Sequence, residues 1–309
     1  MNNEAKAYKL FVNQGFSGLS TFDVESVRIK NERLHAIINK PLNGKFNGST
    51  KDELVQIDFT ELPISIYTPI NASKENIVIY FHGGGKTHQT IVKMAATATK
   101  STWISVEYRL GPEHKFPIWL DDSVNVVRHI VANKVNYGGT TLTKIGVAGD
   151  SGGATIAASV CLTLKDSVEF QILIYGSFDL SNSGVVTTSD AEFNDDPFLS
   201  RSAQVKWVCS NAFIDPEAGV SNPRVSILRN EKSVFRNLPP TLFIVAEIDP
   251  ARDDSYAYHK KLQEVGVKSE LHSIKGVVHT FFSLPGVFRQ ACSEAVDVMR
   301  IFMETNLNI

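Results

Sequence analysis

Ser151 is the residue whose setting most clearly suggests chemistry. It lies in VAGDSGGATIAASV (147–160), where Gly149, Ser151 and Gly153 fill the fixed positions of G-x-S-x-G. A β-type run precedes the serine and an Ala-rich helical run follows it, the context such a turn requires. Side chains two residues to either side of a serine on so tight a turn would clash, and the two glycines remove them. The hydroxyl is then exposed above the sheet. The Gly152 N–H, at a helix start, can point at the oxyanion that attack by Ser151 creates. A serine alcohol is a weak nucleophile and needs a base, which in turn needs an orienting acid. On a sheet with this turn the order along the chain is serine, acid, histidine.

That order narrows eight histidines to three, and the settings of those three narrow them to one. His82, His114 and His129 precede the serine, as do His35 and His88. His259 falls within a helical run and His272 within the strand-like SELHSI. His279, in KGVVHTFFSLPG, follows the last strand and precedes the last helix, so it is the expected base. The acid should follow TLFIVAE (241–247). Asp249, ahead of Pro250, is the first choice and Asp253 the alternative. Asp253 and Asp254 fit the first turn of the next helix, and Glu247 the end of the strand.

A second cluster, FHGGGKTHQT (81–90), reads two ways. Its Gly85-Lys86-Thr87 tail resembles the end of a phosphate loop. The full pattern G-x-x-x-x-G-K-[ST] would require glycine at position 80, which is Tyr80, and G-x-G-x-x-G does not fit either. Two readings remain, a glycine turn with no chemistry and a loop that turns backbone N–H groups toward a developing oxyanion, with His82 shaping the loop; the rest of the chain favours the second.

Several elements must hold these groups. NIVIYFH (76–82), STWISVEY (101–108), KIGVAGD (144–150), FQILIYG (170–176) and TLFIVAE (241–247) read as buried strands. Residues 89–100, 116–134, 152–165, 252–265 and 287–305 read as helices between or after them. This alternation predicts an α/β protein with a mostly parallel sheet covered on both faces. Two regions depart from it. Residues 1–45 read as helical and amphipathic at first, with Ala5, Leu10 and Phe11, and then as irregular. Residues 185–237 interrupt the core between two strands, and a long excursion there is expected to be a lid or binding insertion. Within it, 201–213 reads as a helix with Val205, Val208, Cys209 and Ala212 on one side.

Composition excludes some functions. The net charge of −2 over 309 residues offers nothing to a polyanion, so no nucleic-acid role is expected. Cys161, Cys209 and Cys292 are too few and too far apart for a disulfide framework or a C-x-x-C zinc site. No signal-peptide pattern opens the chain and no apolar run approaches a membrane span. The expectation is a cytoplasmic protein that needs no cofactor and no metal.

Taken together, the motifs resemble the bacterial hormone-sensitive-lipase-like family of α/β-hydrolase esterases. The resemblance rests on YFHGGG (80–85), EYRLGPEHKFPIWLDD (107–122), GDSGGA (149–154), LPPTLFIVAEIDPARDDSYAYHKKL (238–262) and VVHTFF (277–282). It implies the α/β-hydrolase fold with a helical cap. The core would be residues 46–184 and 238–309, and the cap residues 1–45 and 185–237. It implies a triad of Ser151, Asp249 and His279, and an oxyanion hole of Gly84, Gly85 and Gly152. His114 and Asp121, within 107–122, read as structural. The sequence departs from the family at Lys86, where an aromatic residue usually follows the glycines, and in a shortened stretch from His82 to Tyr108. Gly152 replaces alanine, Ala251 replaces leucine, and Ala154, Ser255 and Thr280 replace glycines; none removes a catalytic group. The implied activity is hydrolysis of acyl esters through an acyl-enzyme, and a cap of modest size and mixed polarity suggests short acyl groups. An amidase, peptidase or deacetylase with the same triad and a non-catalytic ligand receptor are the alternatives. The expected partner is a small-molecule ester, and a homodimer is compatible with the sequence.

Overall fold

Runs rich in β-branched and aromatic residues form the strands, and the glycines and prolines between them mark the connections. A computed structural model of the protein describes residues 1–13, 23–42, 46–84, 88–181, 187–193 and 201–307. The strands are β1 (Gly48–Ile57), β2 (Thr60–Pro69), β3 (Ser73–Phe81), β4 (Ser101–Val106), β5 (Lys144–Asp150), β6 (Phe170–Ile174), β7 (Thr241–Ile248) and β8 (Ser269–Val278). They form one sheet in the order β1-β2-β4-β3-β5-β6-β7-β8. β1 and β2 pair antiparallel, as do β2 and β4, and every other pairing is parallel.

The helices are α1 (Asn3–Asn13), α2 (Val24–Asn39), α3 (Gln89–Thr99), α4 (Ile118–Ala132), α5 (Gly152–Thr163), α6 (Thr188–Phe193), α7 (Arg201–Ala212), α8 (Pro216–Ser221), α9 (Arg252–Glu264) and α10 (Arg289–Leu307). Alternation along β3 sends Ile77, Ile79 and Phe81 into a core with α4, α5 and α9. Val78 and Tyr80 enter the opposite core, with α3, α10 and the buried face of α2. The sheet is thus covered on both faces, as its near-continuous apolar strands require.

Two expectations are corrected here. Residues 24–39, read as irregular, form α2. Asp23 caps it, its Oδ1 accepting the Ser26 N–H at 2.9 Å, and Val27, Leu34 and Ile38 face inward. On α7, Val205, Cys209 and Ala212 pack together as expected, but Val208 is 40% exposed. The side chains of Leu10 and Phe11 lie outside those described.

Register brings the chemistry together. Phe81 pairs with Gly149 and Asp150 with Ile174. Farther along the sheet, Ile248 pairs with Val278. The loops that follow β3, β5, β7 and β8 therefore leave the sheet along one edge. Between the pairs Ala246↔Ile274 and Ile248↔Val278, β8 carries extra residues. The bulge needs Gly276, whose φ is +71°, and its N–H donates to Glu247 Oε2 at 2.7 Å.

Candidate active site

Ser151 occupies the turn from β5 into α5 with φ 52° and ψ −121°, a backbone that non-glycine residues rarely adopt. Its N–H donates to the Ile174 carbonyl at 2.9 Å. The flanking glycines are required by contact. A Cβ on Gly149 would lie 2.3 Å from the Gly153 carbonyl oxygen, and one on Gly153 would lie 2.0 Å from that of Phe81. A Cβ on Gly152 would meet nothing within 4 Å. Gly152 is the first residue of α5, so its N–H belongs to the set that no intrahelical carbonyl reaches.

Across the edge, His279 Nε2 lies 2.9 Å from Ser151 Oγ. His279 Nδ1 lies 2.6 Å from Asp249 Oδ2. Asp249 is 1% exposed, and its Oδ1 also accepts the Ala251 N–H at 2.8 Å, which fixes the carboxylate plane. Three groups spread over 128 residues thus form one hydrogen-bonded chain from hydroxyl to carboxylate.

The other acids have different tasks. Asp253 Oδ2 accepts the Ser189 N–H at 2.8 Å, and Ser189 Oγ donates to the Pro250 carbonyl at 2.9 Å. Asp253 therefore joins α6 to the loop carrying Asp249. Asp254 Oδ2 accepts the N–H groups of Phe178 and Asp179, holding the chain after β6. Glu247 pairs with Lys275 at 2.9 Å. His259 lies 2.9 Å from the Ser269 hydroxyl, and His272 lies 2.7 Å from Glu294. Asp121 binds Arg224 at 2.6 Å. Beside His114, Glu113 takes a two-pronged contact from Arg28 of α2 at 2.7 and 2.9 Å.

The glycine loop rests on a stack of rings. His82 is buried between His88, at 4.9 Å between ring centroids, and Tyr108, at 4.6 Å. The Tyr108 hydroxyl donates to the His82 carbonyl at 2.6 Å. Burial pushes the His88 imidazole well below its ordinary pKa, with His82 adding to the effect. The Glu107 carboxylate lies 3.4 Å from His88 Nε2, but burial outweighs it, so the contact is not an ion pair. Gly84 has open space where a Cβ would stand. Gly85 and Lys86 lie outside the described residues. Among the described residues no group of three or more His, Cys, Asp or Glu could hold a metal.

Sequence reasoning passed over Asp150. Its carboxylate accepts hydrogen bonds from Tyr80 and Tyr175 and from the Gly83 N–H. The signal available was a single acid ending an otherwise apolar strand. Ser189 and Tyr175 gave no such signal.

A mostly parallel sheet with a serine turn, a histidine and an acid on its loops defines an α/β-hydrolase. A family model described as alpha/beta hydrolase fold matches residues 78–283. The chain is 31% identical to an arylesterase of Saccharolobus solfataricus over 256 residues, 79% of this chain and 80% of that one. It is 31% identical to the carboxylesterase NlhH of Mycobacterium tuberculosis over 237 residues, 72% of each chain. A solved esterase of Pyrobaculum calidifontis superposes with a TM-score of 0.86 at 26% identity, covering 97% of both chains. The chain belongs to the α/β-hydrolase fold family, among its hormone-sensitive-lipase-like esterases.

Proposed function

We propose that the protein is a serine carboxylesterase acting on short acyl esters, with Ser151 as nucleophile, His279 as base and Asp249 as the orienting acid. The observation that carries this reading is the unbroken chain from Ser151 Oγ to His279 Nε2 at 2.9 Å and from His279 Nδ1 to Asp249 Oδ2 at 2.6 Å. The relatives' names, arylesterase and carboxylesterase, support the ester substrate. With Nδ1 donating to Asp249, Nε2 accepts the serine proton as Oγ attacks the acyl carbonyl. Backbone N–H groups of Gly84, Gly85 and Gly152 take the negative charge on the carbonyl oxygen. His279 then gives its proton to the departing alkoxide. Water, deprotonated by the same imidazole, attacks the acyl-enzyme and releases the acid.

Residues 1–45 and 185–237 form the cap over this site in our reading. Arg28, reaching from α2 to Glu113, and Ser189, reaching from α6 to Pro250, support it. Among the described residues no helix is long and apolar enough to cross a membrane. Cys161, Cys209 and Cys292 are free and buried, in keeping with a reducing cytoplasm. An amidase would use the same three groups, and a panel of p-nitrophenyl esters against matched anilides separates the two.

Ser151→Ala tests the assignment. It should lower kcat for p-nitrophenyl acetate roughly 10⁶-fold and abolish fluorophosphonate labelling. Near-normal turnover by this variant would refute the nucleophile.

A further inference from the structure

We infer that Asp150 is a positioning residue that holds the oxyanion loop and the face of the base in register with the nucleophile; this rests on the esterase reading of Ser151 and His279. Asp150 precedes the serine and is 5% exposed. Its Oδ1 accepts from the Tyr80 hydroxyl at 2.5 Å and from the Gly83 N–H at 2.9 Å. Its Oδ2 accepts from the Tyr175 hydroxyl at 3.2 Å. One carboxylate therefore ties the end of β3, the glycine loop and the chain leaving β6 to the serine turn.

Each tie reaches a part of the proposed machinery. Gly83 immediately precedes Gly84, and the loop approaches so closely that a Cβ on Gly83 would lie 2.8 Å from the Asp150 carbonyl oxygen and 2.9 Å from its Oδ2. Clamping the Gly83 N–H sets the direction in which the next amide points. Tyr175 holds φ +36° and donates its own N–H to the Ile244 carbonyl at 2.7 Å. Its ring lies 4.9 Å from the His279 imidazole, centroid to centroid, inclined at 56°. Anchoring the phenol end of Tyr175 fixes the wall against which the base rests. Burial, with the Asp150 charge second, pushes both tyrosines well above their ordinary pKa, so both stay protonated and donate.

The arrangement suits a carboxylate. Three donors converge on a group shielded from water, and removing the acceptor would leave the Tyr80 hydroxyl buried without this partner and would release the Gly83 N–H and the Tyr175 hydroxyl from it. Asparagine at this position keeps one oxygen for the Gly83 N–H and the Tyr80 hydroxyl. Its amide can donate to Tyr175 in place of the lost bond. Alanine keeps none of them.

The test compares wild type, Asp150→Asn and Asp150→Ala for kcat and KM on p-nitrophenyl acetate, thermal midpoint, and affinity for an aliphatic trifluoromethyl ketone. The ketone's tetrahedral serine adduct requires the oxyanion donors. Asp150→Ala is expected to lose on the order of 10²–10³ in kcat, as when an oxyanion donor is lost, with KM little changed and ketone affinity falling in parallel. Asp150→Asn is expected to recover most of both. Wild-type kcat in Asp150→Ala, or an Asp150→Asn no better than Asp150→Ala, overturns the inference. Should Asp150→Ala not fold, Tyr175→Phe decides. A drop in kcat at an unchanged midpoint supports the role, and an unchanged kcat overturns it. If wild type neither hydrolyses the ester nor reacts with a fluorophosphonate, the esterase reading itself fails. If wild type does both and the variants match it, only the role of Asp150 fails.

Discussion

At the scale of single residues, the serine turn separates its glycines by what surrounds them. Gly153 lies against the Phe81 backbone, where a Cβ would stand 2.0 Å from the carbonyl oxygen, and neither backbone can yield without opening the β3–β5 pairing. Gly152 points into open space. Gly153→Ala is therefore expected to lose folded protein. Gly152→Ala should shift unfolding free energy by less than about 1 kcal/mol, in the stabilising direction, because alanine suits a helix start better than glycine. Parallel expression yields and thermal melts check the pair. This difference was legible only in part. The pattern G-x-S-x-G named Gly149 and Gly153, and Gly152 stands where the motif the sequence resembles has alanine, a change of little consequence to a backbone donor. The 2.9 and 2.6 Å contacts of His279 could not be read from the chain, because they depend on a β8 bulge that only pairing with β7 reveals.

At the scale of elements, α2 is held to the loop before α4 by Arg28 and Glu113, with a further bond from Arg28 to the Gly111 carbonyl at 2.6 Å. The Arg28 guanidinium lowers the Glu113 carboxyl to about 2 from an ordinary 4.5. A carboxylate depressed in the folded state contributes stability that is fully present above the ordinary value. That stability is lost as pH falls through the folded one. The window is therefore between about 4.5 and about 2. Both partners are partly exposed, so the contribution is about 1 kcal/mol or less. Hydrogen-exchange protection of Val24–Asn39 should fall across this window in wild type and be low already at neutral pH in Arg28→Ala, while β5 amides keep theirs. Equal α2 protection in the two proteins at neutral pH would show that the clamp does not hold the helix. α2 escaped sequence reading because only Val27, Leu34 and Ile38 mark its inner face along a mostly polar run, too sparse for a periodic signal. The β1–β2 hairpin escaped for a related reason. The first five residues of β1 are exposed, so it lacks the apolar run that marked the inner strands. β5, buried along nearly all its length, was legible to the residue.

For the molecule as a whole, the buried His88 links folding to protons. Its folded-state pKa is depressed by burial, so the folded protein keeps it neutral. Below an ordinary value of about 6.5 the unfolded chain binds a proton there that the folded protein refuses. Stability is then full above about 6.5 and falls by up to about 1.4 kcal/mol per pH unit below it, until the folded pKa is reached. Urea unfolding of wild type and His88→Gln at pH values of about 8 and 5.5 should show the variant losing less on acidification. Identical losses would place the linkage elsewhere. The general architecture was legible because alternation of apolar runs and amphipathic stretches dictates a covered parallel sheet. What lay hidden was how the insertion between β6 and β7 meets the core. Ser189 supplies one meeting point, binding both Asp253 and the Pro250 carbonyl beside Asp249, and Arg224 supplies another on Asp121. An engineer who grafts a foreign insertion here to broaden the substrate range would also remove a brace from the loop that carries Asp249. The transplant must bring its own donor for Pro250, or selectivity and turnover will change together.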